Sequence, residues 1–187
     1  MEPHKHHVCP WWLGYLLASP LRRLQYDPAR ILAPYVREGM RVLEPGPGMG
    51  FFTLELARMV GPSGRVIAVD IQPRMIERLK RRAAKAGVGD RVDARLADRD
   101  SMKLGPGDTI DFVLAFAMVH EMPDPEGFFG EAARSMKAGA RMLLAEPAGH
   151  VRGEEFEAEL EAARRAGLEP EERPSIRSSR TALLRKA

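Results

Sequence analysis

Cysteine is almost missing from this sequence. One residue of 187, Cys9, carries a thiol, so no disulfide closes within the chain and the composition suits a reducing cytoplasm. Aromatic residues are scarce at 6%, and both tryptophans sit side by side at Trp11-Trp12. No apolar run approaches the roughly 20 residues that a membrane span needs. The first residues, Met1 to His7, lack the apolar core and small-residue cleavage site of a secretory signal. Neither sign of charge dominates. The 29 Lys and Arg against 26 Asp and Glu leave a formal +3, which permits nucleic-acid contact without implying it. Internal repeats and low-complexity linkers are absent too. What is present, 44% apolar and 29% charged residues, is the composition of one globular domain of ordinary size.

From Arg41 onward, short β-rich runs alternate with amphipathic stretches, the signature of a parallel sheet wrapped by helices. The strand candidates are Arg41–Glu44, Arg65–Asp70, Val92–Leu96, Ile110–Ala115 and Ala140–Ala145. A helix is predicted from Pro73 to Ala86, with proline at its first position and Gly87 past its end. Its charged side, Lys80, Arg81, Arg82 and Lys85, reads as a solvated face. Asp124-Pro125 caps and opens the next helix, which buries Phe128, Phe129, Ala132, Ala133 and Met136 and stops at Gly139. A last helix runs from Glu154 to Ala166, and the tail from Leu168 to Ala187 reads as two short strands around Pro174–Ser179.

The densest signal is Glu44-Pro45-Gly46-Pro47-Gly48-Met49-Gly50, which closes the first strand and precedes the helix-like segment Phe51 to Met59. Alternating glycines let the backbone turn sharply and approach a ligand closely, and the N–H groups opening the next helix favour negative groups. The dinucleotide fingerprint places its third glycine one residue later, where this chain has Phe51. Asp70 ends the second strand about 20 positions on, placed for two ribose hydroxyls. That acid fits any nucleoside cofactor, including a nicotinamide; the glycine spacing separates them.

The pattern acidic-x-G-x-G-x-G resembles motif I of the class I S-adenosylmethionine-dependent methyltransferases, and the resemblance covers Arg41 to the C-terminus. It implies an α/β, Rossmann-like fold whose mostly parallel seven-stranded sheet has the order 3-2-1-4-5-7-6, flanked by helices. It also implies S-adenosyl-L-methionine as cofactor. Glu44 would lie near the methionine ammonium, and Gly46, Gly48 and Gly50 would shape the loop. Asp70 would take the ribose hydroxyls, Ile71 would pack on the adenine, Asp98 would accept from the adenine amino group, and Phe116 would line the methionine side. Asp98 can equally be an exposed loop carboxylate. His120 follows the fourth strand in Phe116-Ala117-Met118-Val119-His120-Glu121, where small-molecule methyltransferases show a similar stretch. It is either a general base with a near-neutral pKa or a structural histidine bonded to backbone. Glu121 would form a polar wall of the acceptor pocket.

The expected layout is a single methyltransferase domain: residues 1–38 an N-terminal helical lid segment, residues 39–187 the cofactor-binding core. The lid brings Cys9, Trp12 and Tyr15 into consideration as acceptor contacts. His4, His6, His7 and Cys9 have soft-metal ligand chemistry, but no second ligand group closes a cage, so no metal is expected. Arg173, Arg177, Arg180 and Arg185 read as solvent-facing charges on an edge hairpin. The expected activity is methyl transfer to a small-molecule acceptor of unspecified identity, by a monomer or homodimer. The rivals are an RNA or protein methyltransferase, a non-catalytic cofactor-binding regulator, and a nicotinamide oxidoreductase disfavoured by Phe51.

Overall fold

The structure, a computed structural model, describes residues 25–187. Asp27 caps α1 (Pro28–Leu32), its Oδ1 accepting the Arg30 amide at 3.3 Å, with Pro28 at a position that needs no N–H. Then come β1 (Arg41–Pro45), α2 (Thr53–Met59), β2 (Arg65–Asp70), α3 (Pro73–Lys85), β3 (Val92–Leu96), β4 (Ile110–Phe116), α4 (Pro125–Ser135) and β5 (Met136–Pro147). The chain finishes with α5 (Gly153–Arg165), β6 (Leu168–Glu172) and β7 (Ser179–Lys186). The strands form one seven-stranded sheet in the order β3-β2-β1-β4-β5-β7-β6. The first five run parallel, and β7 is antiparallel to both β5 and β6. Sheet order and edge hairpin match the expectation.

The sequence explains the layering. Val66 to Asp70 is an unbroken buried run, as a parallel strand covered on both faces requires. On one face, Leu32 and Val36 from the N-terminal side, Leu56 of α2 and Val60 just past its end pack on Val42, Phe112 and Leu114. On the other, Phe129 of α4 with Phe156 and Leu160 of α5 packs on Leu43, Val113 and Leu144. Helix α3 lays Ile76 and Leu79 over Ala68 and Ala94 of β2 and β3. Both layers leave the carboxyl ends of β1 to β5 gathered along one edge, where open α/β sheets bind their ligands.

Three local expectations need correction. The fourth helix ends at Ser135, and Met136 to Gly139 belong to β5. Met136 pairs with Ile110, but Arg141 pairs with Phe112, so the intervening residues bulge out of register. Gly139 has a φ of 74°, as a helix-ending glycine does; here the same freedom serves the bulge. Helix α2 starts at Thr53, two residues later than Phe51, because Phe51 and Phe52 complete a turn after the loop. Arg82 does not simply face solvent: its guanidinium donates to the Met49 carbonyl, tying α3 to the glycine loop.

Candidate active site

The loop after β1 owes its shape to three left-handed glycines, Gly46, Gly48 and Gly50, with φ of 65°, 53° and 85°. They are not equivalent. A Cβ on Gly50 would stand 2.4 Å from Leu79 Cδ1, and one on Gly46 would stand 3.1 Å from Met118 Cβ. Those two glycines are fixed by protein packing. A Cβ on Gly48 would meet nothing within 4 Å, so that open side is where a ligand can approach the backbone. Glu44, 4% exposed, sits at the end of β1 just before this loop.

Asp70 closes β2 beside it. Its Oδ1 accepts the Gln72 amide at 2.8 Å, and the Gly48 and Ile71 amides also donate to it. Burial outweighs these bonds and raises its pKa to about 6. The next residue, Ile71, and Leu96 at the end of β3 are the two large apolar side chains most exposed among the described residues, at 37% and 46%. Apolar surface presented at two neighbouring strand ends suits a flat ring. Asp98 follows on a loop that Glu131 clasps, accepting the Met102 amide at 2.8 Å and the Leu104 amide at 3.2 Å. The Asp98 carboxylate is more than half exposed and pairs with Lys103 at 2.8 Å.

The ends of β4 and β5 build the other half. Phe116 is buried in an aromatic group, its ring 4.5 Å from Phe52 and 5.1 Å from Tyr26 between centroids. Ala117 then adopts a φ of 56°, a left-handed conformation that costs a non-glycine residue about 1–3 kcal/mol. Its amide donates to the Ala145 carbonyl at 2.7 Å, and the reversal brings Met118 against Gly46. Glu146, fully buried at the end of β5, holds the result. One of its oxygens, Oε1, accepts the Met118 and Val119 amides at 3.2 and 2.9 Å, and the other, Oε2, bonds Nδ1 of His120. The opposite ring nitrogen, Nε2, has Glu121 at 4.0 Å, and the His150 ring lies 6.2 Å away. Burial works to lower the His120 pKa, but the Glu146 bond and the charges of Glu146 and Glu121 outweigh it and raise the pKa above the ordinary value.

The residues expected from the sequence therefore fall into two neighbouring groups. Glu44, the three glycines, Asp70, Ile71 and Asp98 line the ends of β1 to β3; Phe116, His120 and Glu121 follow β4. Cys9, Trp12, Tyr15 and the His4/His6/His7 cluster lie outside the described residues, as does most of the expected lid. Within the described part of that segment, Tyr26 packs on Phe116. Among the described residues no group of three or more His, Cys, Asp or Glu side chains is disposed to hold a metal, and no helix is long and apolar enough to cross a membrane. Of the tail arginines, Arg173 pairs with Glu157 and Arg180 donates to the Val151 carbonyl at 2.8 Å. Sequence reasoning missed Glu146 and Ala117. Glu146 had a usable signal, an acid at a strand's carboxyl end like Glu44 and Asp70; Ala117 had none.

The sequence profile of the family described as methyltransferase domain matches residues 36–175. A ubiquinone biosynthesis O-methyltransferase of Methylocella silvestris is 32% identical over 142 residues, covering 75% of this chain and 53% of that one. A ubiquinone/menaquinone biosynthesis C-methyltransferase of Pasteurella multocida is 32% identical over 111 residues, covering 59% of this chain and 41% of its own length. The chain thus spans about half the length of the curated relatives it matches. A solved SAM dependent methyltransferase from Aquifex aeolicus superposes with a TM-score of 0.84 at 26% identity, covering 95% of this chain and 98% of that one. With sheet order, glycine loop and the match over residues 36–175 in agreement, the chain belongs to the class I S-adenosylmethionine-dependent methyltransferases.

Proposed function

We propose that this chain transfers the methyl group of S-adenosylmethionine to a small-molecule acceptor, and that His120 receives the proton the acceptor gives up. The cofactor, when bound, supplies a methyl group already activated on a cationic sulfur. The residues present fit it: the open side of Gly48 gives the backbone approach, and Asp70 offers acceptor oxygens for ribose hydroxyls. Ile71 and Leu96 provide apolar surface for the adenine, and Glu44 would face the methionine ammonium. Asp98 would exchange Lys103 for the adenine amino group, and Phe116 would close the methionine side.

One observation carries the acceptor half of the reading, the hydrogen bond from Nδ1 of His120 to the Glu146 carboxylate. A carboxylate there fixes the tautomer with the proton on Nδ1, leaving the Nε2 lone pair free. A base oriented by a third group is the arrangement that activates hydroxyl nucleophiles. The protein's remaining task is alignment of acceptor and methyl group, and such positioning is worth up to roughly 7–11 kcal/mol. The matched O- and C-methyltransferases support an acceptor whose oxygen or carbon loses a proton in the transfer.

The test joins calorimetry to kinetics. S-adenosylhomocysteine should bind wild type and His120→Ala within about threefold of each other, while turnover of a hydroxylated small-molecule acceptor falls about 10²–10⁴-fold. Full turnover in His120→Ala would remove the histidine from the mechanism. Methylation confined to RNA or protein would remove the small-molecule acceptor.

A further inference from the structure

Behind the His120–Glu146 pair lies a second buried acid that the proposed reaction leaves unused. Glu159 occupies the inward stripe of α5 together with Phe156, Leu160 and Ala163. Its residue is 7% exposed, and among the described residues its Oε2 has no hydrogen-bond partner. The charged groups around it are acids. Glu146, two residues beyond Leu144, belongs to the β5 face that α5 covers, and Glu155 lies one turn back on its own helix; both carboxylates act electrostatically on Glu159. Of the cations on these elements, Arg152 bonds Glu155 at 2.8 Å, and Arg180 of β7, the register partner of Glu146, donates to the Val151 carbonyl. Toward α4, Arg165 of α5 pairs with Glu126.

We propose that Glu159 is the proton-holding partner of Glu146, a positioning residue that keeps a single negative charge behind His120. This rests on the reading of His120 as the base. Two ionised carboxylates that share the buried interior between β5 and α5 repel each other, and one of them stays protonated. Glu146 is the ionised member, because it accepts two amides and the His120 N–H. Glu159, with an unbonded oxygen, is the neutral one. Burial first, then the charges of Glu146 and Glu155, hold its pKa up at about 8. One negative charge balances one imidazolium as His120 takes the acceptor's proton, and the imidazole can still release that proton afterwards. A second charge would bind the proton too firmly for the ring to return to its basic form.

The free protein suffices for the test, with no cofactor and no acceptor, so its outcome is separate from the kinetics of His120→Ala. Carbon-13 resonances of the His120 ring and the Glu159 carboxyl would be followed from about pH 5 to pH 10. In wild type the His120 signal should move in two steps, the smaller one coinciding with loss of the Glu159 proton near pH 8. Glu159→Gln, which keeps the shape without the titration, should leave only the main step. Glu146→Gln, which retains an oxygen for the two amides, should bring the Glu159 titration down toward its ordinary range. Stability gives a second readout. Glu159 holds its proton in the folded chain to a higher pH than in the unfolded chain, so its contribution is full in acid and is lost as pH rises to about 8. The melting temperature of Glu159→Gln relative to wild type should therefore climb from pH 5 to pH 8. Identical His120 curves in wild type and Glu159→Gln would overturn the proposal. So would a Glu159→Gln protein less stable than wild type at pH 8, or a Glu159 carboxyl already ionised at pH 6.

Discussion

The two halves of the site stand on neighbouring strand ends but are held together in opposite ways. The proposed cofactor half, after β1 to β3, is largely backbone: left-handed glycines, Asp70 braced by amides of Gly48, Ile71 and Gln72, and apolar side chains presented at strand ends. The acceptor half, after β4 and β5, is side chain. Glu146 reaches residues 26 to 28 positions earlier in the chain to hold His120, Val119 and Met118. A backbone cradle is specified by a short local pattern. A side-chain clamp exists only once two distant strands have paired, and so it can change its chemistry without disturbing the cradle.

The sharpest way to break that contrast is Glu146→Ala. It strips two buried amides and an imidazole of their acceptor, and each unsatisfied buried group costs about 1–3 kcal/mol. Turnover should fall at least about 10²-fold and the melting temperature should drop. S-adenosylhomocysteine affinity, measured by calorimetry, should stay within about threefold if the halves are independent. The reciprocal change, Asp70→Ala, should weaken S-adenosylhomocysteine by roughly 10–100-fold, the range for hydrogen bonds to a charged group. The His120 NMR titration should hardly move.

Acidity should act on the cofactor half in the same sense, less strongly. In the proposed site, ribose hydroxyls would donate to an ionised Asp70, whose pKa without ligand is about 6. Affinity should be flat above that value and fall by up to about tenfold for each pH unit below it. Calorimetry across that range checks the sign; tighter binding in acid would mean that Asp70 is not the ribose acid. The acceptor half responds in the other direction. As the proposed base, His120 would have to be unprotonated to act, so turnover should rise with pH through its raised pKa. The smallest effect is expected for Asp98→Ala. Its carboxylate is exposed and already shared with Lys103, and exposed pairs are worth about 0–1 kcal/mol. S-adenosylhomocysteine affinity should fall less than about fivefold, with turnover at saturating cofactor unchanged.

The same contrast governs what could be read from the sequence. Glu44, the three glycines and Asp70 announce themselves because strand, turn and helix signals abut one another over a few residues. The sheet order followed from the same local signals taken with the family resemblance. His120 was visible as a residue but not as a pair, since nothing near position 120 points to position 146. Glu159 was hidden inside an amphipathic pattern, where one acid on an apolar stripe resembles a tolerated exception. Gly139 shows the limit from the other side. A positive φ is legible in a glycine, but whether it ends a helix or bends a strand depends on pairing with Ile110 and Phe112.

The contact between Gly46 and Met118 gives the two halves a common wall. There the donor loop and the acceptor loop share a space of atomic dimensions, with no room for even one added methyl unless a neighbour yields by a few tenths of an ångström. Whoever sets out to retarget this protein should treat position 118 as a hinge between two specificities. Changes outward from it, toward His120 and His150, should alter what is methylated if the acceptor lies where we propose. Changes inward, toward Gly46, would be felt first in how the donor sits, and a library that mixes the two will confuse lost recognition with lost supply.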